Sequence, residues 1–212
     1  PAMRKIYGQE PIFIYDPTDS SNRPVEGWHT NAIEFWNIYP AYIRERFIKA
    51  FTDGLRDPEL RIRETIWRDD MLLLHDSVVY CSECGAENFY DPDALKAAGR
   101  NAPCWHCHKE YRLPPRIRIA IGNRARVVML NHNTRLYNHH VEPTNDSFFD
   151  HVVAEMTRNP TTQNWGLRNL STEIWHITTA DGNTKPVEPG RAFALTANTR
   201  VRFNRSEGEI RV

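Results

Sequence analysis

Cys81-Ser82-Glu83-Cys84 and Cys104-Trp105-His106-Cys107 stand nineteen residues apart and decide how the chain is read. Two residues between cysteines let both thiolates of a tight knuckle face one ion. Two knuckles complete a tetrahedron, which suits Zn²⁺. Gly85 follows the first pair and allows the positive φ that such a knuckle needs. Val78-Val79-Tyr80 on the approach and Glu110-Tyr111-Arg112-Leu113 on the exit read as strands, the layout of a zinc ribbon. One zinc ion on Cys81, Cys84, Cys104 and Cys107 is the expectation. Four thiolates leave no position for a catalytic water, so its role is structural. Two disulfides fit poorly with a chain whose first residues lack the apolar run of a secretion signal. A redox CxxC would be single and set in a βαβ pattern. Cys104 to His108 also spells the haem attachment string CxxCH, which would leave Cys81 and Cys84 without a role.

Outward from this centre the pattern differs on the two sides, predicting an α+β chain of three parts: 1–80, 81–114 and 115–212. In the first part Ile43, Phe47, Ala50 and Phe51 recur at helical spacing after Pro40, with Gly54 as a stop. Asp57-Pro58 reads as a cap opening a short turn. A further helix runs from about Glu64 to Ser77, with Trp67, Met71, Leu74 and Val78 as its buried stripe. In the third part short strands alternate with turn signals, the pattern of an all-β sandwich. They are expected at 117–121, 126–130, 135–137, 152–156, 165–169, 175–178, 192–196 and 200–203. Trp165 and Trp175 are expected to plug the sandwich core.

The 212 residues carry 27 basic and 27 acidic groups, with 40% apolar residues. That balance excludes a disordered chain and argues against a nonspecific nucleic-acid coat. No apolar run approaches the roughly 20 residues of a membrane helix, and the cytoplasm is the expected compartment. Counted by part, the charge is −3, −1 and +4, so the neutral total hides a basic third part. There Arg124, Arg126, Arg135 and Arg168 could offer guanidinium forks to an anion or an acidic partner. His132, His139 and His140 cluster nearby and read as hydrogen-bonded or exposed rather than as a second metal site. Asp69-Asp70 reads as solvent-facing.

The order of features in the first part resembles the end of a protein kinase large lobe. The residues that carry this are Gly8 to Pro17, Ser21-Asn22-Arg23-Pro24, the Pro40 helix, Asp57-Pro58-Glu59-Leu60-Arg61 and the Trp67 helix. With the Cys84 to Asp91 string, Cys-Gly-Ala-Glu-Asn-Phe-Tyr-Asp, the chain resembles the C-terminal part of a bacterial eukaryotic-like serine/threonine kinase. The resemblance implies a buried structural role for Arg61 and an entry partway through a longer polypeptide. It also implies a kinase domain in cis or another protein as partner. The Gly-rich phosphate loop, the His-Arg-Asp string and the Asp-Phe-Gly string are all missing, so phosphoryl transfer by this chain alone is not expected.

Trp165 to Ser171, Pro189-Gly190, Leu195 and Arg200 to Phe203 resemble the second half of a forkhead-associated (FHA) β-sandwich. Family members bind phosphothreonine through a Ser-Arg-x-His string and a later Asn-Gly-Thr. Here those places read His151-Val152-Val153-Ala154-Glu155 and Thr172-Glu173-Ile174-Trp175. The resemblance therefore implies the fold but gives phosphopeptide binding no support. The expected whole is a helical kinase large-lobe remnant, a zinc ribbon and an FHA-like sandwich, serving as a noncatalytic regulatory or docking segment. A freestanding zinc-ribbon and β-sandwich module binding protein or nucleic acid is the alternative.

Overall fold

A computed structural model of the chain describes residues 8, 10–99, 102–122, 124–142 and 149–212, with Arg124 described in its backbone alone. It has both helices and sheets, an α+β architecture. Two compact units are present, Pro1–His75 and Asp76–Val212. The residues expected to form separate parts at 81–114 and 115–212 lie in the second unit together.

Unit 1 is helical. Helix α1 spans Thr30–Ile38 and α2 spans Ala41–Phe51. They are separated because a residue before proline avoids the helical region: Tyr39 sits at ψ 142°, and Pro40 caps α2. Helix α1 carried no sequence signal of its own, since its caps lack Ser, Thr, Asp or Asn at the right place. Gly54 does not stop a helix. It lies inside the short α3, Asp53–Arg56, where Arg61 Cα approaches within 3.3 Å of where a Cβ would stand. Asp57 then caps the 3₁₀ turn Pro58–Leu60, its carboxylate accepting from the Glu59 N–H at 2.9 Å. Helix α4, Glu64–Asp76, follows.

An aromatic cluster holds unit 1 together. Tyr15 stacks on Trp36 at 3.9 Å between centroids, Phe13 on Phe51 at 5.3 Å, and Phe47 meets Trp67 edge-on at 5.0 Å. Among the described residues Ile43 is the only large apolar side chain of this unit that is buried. The α4 stripe is half open, with Met71 exposed, while Asp70 is buried against Arg46 at 2.6 Å rather than facing solvent.

Unit 2 opens with a hairpin, β1 (Val78–Tyr80) against β2 (Glu87–Phe89). Strand β1 pairs with β2 because Gly85 turns the chain straight back (φ 75°), and the strand expected at 110–113 does not form. Helix α5, Pro92–Ala98, lies in the chain between the two cysteine pairs. Its signals were all in the sequence: an Asp91 cap, proline in the first turn and Gly99 in the left-handed region at its end.

Ten further strands form two antiparallel sheets. They are β3 (Arg116–Ile121), β4 (Arg124–Met129), β5 (Arg135–Tyr137), β6 (Val152–Arg158), β7 (Trp165–Asn169), β8 (Trp175–Thr178), β9 (Thr184–Val187), β10 (Ala192–Ala194), β11 (Arg200–Arg202) and β12 (Glu207–Arg211). One sheet runs β4-β3-β12-β11-β8-β9 and the other β10-β7-β6-β5. Strands β9 and β12 escaped the sequence reading because Pro186 and the Glu207-Gly208-Glu209 run mask their alternation. The short helix α6, Asn138–Val141, follows β5. Ile117, Leu136, Leu167, Trp175, Val201 and Ile210 belong to one buried cluster fed by both sheets. Trp175 meets Phe203 edge-on at 4.9 Å in that core. Trp165 does not plug it: 39% of its surface is exposed, and the Arg158 guanidinium lies over its ring at 5.8 Å. Among the described residues no helix is long and apolar enough to cross a membrane.

Candidate metal centre

The four cysteines converge. Cys81 and Cys107 bring their sulfurs to 3.7 Å, as do Cys84 and Cys104, and all four Sγ atoms lie within 4.8 Å of one another. A tetrahedron with metal–sulfur arms of about 2.3 Å has edges of about 3.8 Å, so the two short separations match its edges. A disulfide needs about 2.05 Å, and all four cysteines are free thiols. The residues present fit one metal ion.

Local backbone bonding explains the convergence. Cys81 N–H donates to Ala86 O and Gly85 N–H donates to Cys81 O, each at 2.9 Å. Cys104 N–H donates to Lys109 O and His108 N–H to Cys104 O, again at 2.9 Å. The two knuckles are therefore copies of one turn. His108, at φ 58°, occupies in the second the left-handed place that Gly85 holds in the first. That position costs less in the glycine knuckle, and sequence alone marked only Gly85.

Asn88 is the residue that sequence reading missed. Its side chain is buried on β2, donates to Ala86 O at 3.0 Å and reaches Cys104 Sγ at 3.6 Å. Its carbonyl accepts from the Trp105 N–H at 3.2 Å. It thus ties one knuckle to the other, the outer-shell work that fixes ligand orientation. An amide-bearing residue on the inward position of a strand between two CxxC pairs was the available signal. Beneath the site Val79, Cys81, Cys104, Tyr111 and Met129 form a second buried cluster, with Val127 packed against it. Val127 and Met129 project from the outer face of β4, so the metal centre sits on the sheet rather than beside it.

The electrostatics call for a cation. The Ala86 N–H favours the Cys84 thiolate, yet desolvation and the neighbouring sulfurs of Cys107, Cys104 and Cys81 push its thiol up to about 12. Desolvation raises Cys104, but the Cys107 N–H, the Asn88 amide, the His106 N–H and the Cys84 thiol outweigh it and bring Cys104 down to about 6. Four sulfurs this close do not ionise together without a positive ion among them.

The arginines singled out from the sequence stand on different strands, with Arg135 and Arg168 on either side of Glu155 in register. Arg126 sits on the core side of the β4 edge, 3.6 Å from the buried Asp76 carboxylate. Arg168, on the outer face of β7, pairs with Glu155 at 3.2 Å and donates to Thr157 at 3.0 Å. Arg135 is exposed on β5, opposite Glu155 in register. The Arg124 side chain lies outside the described residues. In unit 1 Arg61 is exposed rather than buried, and donates from Nε to Gly54 O at 3.3 Å. His140 is held rather than available: its Nδ1 accepts from the Tyr137 N–H at 2.8 Å, and its Nε2 lies 3.0 Å from Asp76. The His139 and His140 rings lie tilted against each other at 3.9 Å between centroids, and His132 lies against Tyr80. The cysteine quartet is the one group with metal-binding geometry among the described residues.

No family model, curated protein or solved structure matches the chain. The site and the fold therefore stand on their own geometry.

Proposed function

We propose that the chain is a noncatalytic docking and regulatory segment of a bacterial serine/threonine kinase, built on one structural zinc ion and an FHA-like β-sandwich. The observation that carries this reading is the apolar surface of unit 1. Among the described residues fifteen large hydrophobic side chains are exposed, and eleven of them, from Ile14 to Leu73, lie in that unit. Trp28 is 86% exposed. A helical unit with so little buried apolar surface is stabilised by a protein face laid against it, and a kinase large lobe in cis supplies one. Zinc, when bound, neutralises the thiolates and locks the two knuckles together, as a closed four-sulfur site does. Borderline-soft thiolate chemistry favours it over hard cations.

Reading the gene upstream of the Pro1 codon tests the parentage. In-frame His-Arg-Asp and Asp-Phe-Gly strings are expected, and an upstream frame without them overturns it. Metal analysis of the purified chain tests the zinc: about one ion per chain is expected. A second reading, a freestanding zinc and β-sandwich binding module, is favoured by unit 2, which buries a core of its own. Partner binding that keeps full strength when no kinase domain is attached would select it.

A further inference from the structure

The register of the six-stranded sheet gathers arginines that lie far apart in sequence. Val201 and Ile177 point into the core, so Arg200 and Arg202 on β11 point outward together with His176 and Thr178 on β8. Across the sheet Arg200 lies opposite Glu209 and Arg202 opposite Glu207, while Glu209 lies opposite Arg118 on β3. Arg116 and Arg211 face each other further along. This outer face thus carries five arginines against two glutamates. Two of the arginines are occupied: Arg116 lies over the Tyr90 ring at 5.7 Å, and Arg211 pairs with Glu209 at 3.5 Å. Arg200 reaches Glu207 only at 4.0 Å. Arg202 forms no ion pair among the described residues.

Between β8, β9 and β11 the same face holds a hollow of about 260 Å³ lined by His176, Thr178, Thr184, Arg200, Arg202 and Glu207. The two threonine hydroxyls in its lining meet at 3.1 Å. Two guanidinium forks, an imidazole and two hydroxyls around one small hollow are the donor set that a tetrahedral oxyanion accepts from. Glu207 is the single opposing charge at the rim. Its long contact with Arg200 is weak enough for a dianion to displace. Nucleic acid is the less favoured occupant, because this hollow presents no large aromatic ring on which a base could stack.

We propose that this hollow binds the phosphoryl group of a small phosphate monoester or of free phosphate, held by Arg200 and Arg202. The inference is independent of kinase parentage and uses none of the arginines singled out from the sequence. Its test is a titration of the full metal-loaded chain with inorganic phosphate and with phenyl phosphate, followed by side-chain and amide NMR shifts. Saturable shifts at Arg200, Arg202, Thr178 and Thr184 are expected. Phosphate alone giving them marks a free-anion site, and equal or tighter binding of phenyl phosphate marks an esterified group. Arg202→Ala is expected to weaken binding about tenfold, the usual size for a hydrogen bond to a charged group. Glu207→Gln is expected to tighten it, since the only opposing charge goes. Arg118→Ala, on the same face outside the hollow, is the control for a general positive field. Loss of binding in Arg118→Ala equal to that in Arg202→Ala, no gain in Glu207→Gln, or no saturable shift with either probe overturns the proposal.

Discussion

Asp76 shows what a single buried charge does in this protein. Its carboxylate is buried, paired with His140 at 3.0 Å and with Arg126 at 3.6 Å, and it joins the end of α4 to a helix 64 residues further along. Removing one member of such a set leaves the rest uncompensated, so Asp76→Asn is expected to cost about 3–5 kcal/mol in urea unfolding of unit 2. Arg126→Ala, losing the longer and more exposed contact, should cost clearly less in the same experiment. Asn88 makes the corresponding prediction for the metal. Asn88→Ala leaves all four ligands in place but unties the knuckles, and chelator competition should find metal affinity lowered about 10–100-fold. None of the pairing around Asp76 was visible beforehand. An acid at a helix end, a histidine pair and a strand arginine are ordinary surface residues in sequence, and only the fold brings them to one buried point.

At the level of elements, legibility followed local signals. The cysteine knuckles and the strands at 135–137, 165–169 and 175–178 carry their own spacing or alternation, and they stand where the pattern put them. Elements whose formation depends on neighbours were hidden. Strand β9 contains Pro186, tolerated because β9 is an edge of its sheet. Strand β12 has Gly208 where Ile117 and Phe203 leave no room for a side chain. The β7–β10 pairing depends on a similar absence at Gly166, where a Cβ would stand 2.6 Å from Phe193 O. Gly166→Ala should therefore part those strands and cost about 1–3 kcal/mol in thermal or urea unfolding. The knuckles make a prediction in pH. Metal binds thiolates, so the Cys84 proton, held up to about 12, must leave on loading, and affinity rises with pH throughout the neutral range. Below about 6 Cys104 also takes a proton, so affinity should fall more steeply there. Zinc-competition titrations between pH 5 and 8 check both slopes; affinity flat across that range contradicts the assignment of these sulfurs as ligands.

On the scale of the whole molecule the two units differ in how completely they satisfy their own apolar surface. Unit 2 feeds both sheets into one core, and unit 1 relies on stacked rings with much of its surface open. The full chain should accordingly bind an apolar dye, and Trp28→Ser with Phe35→Ser should lower that signal. With 86% of its surface exposed, Trp28→Ser alone should change stability by no more than about 0.5 kcal/mol. The neutral total charge conceals this asymmetry just as it conceals the basic sheet face. The order of strands has a consequence in time. β3 and β4 lie at one side of the six-stranded sheet, yet the strand that links them to β11 is β12, which begins 86 residues after β3 ends. At about 5–20 residues per second, a ribosome needs roughly 4–17 seconds to cross that gap. Throughout that interval the edge of β3 and the inner faces of Ile117 and Ile119 are without their partner. Slow translation lengthens that wait, and synthesis interrupted within the gap forfeits the middle of the sheet rather than its rim.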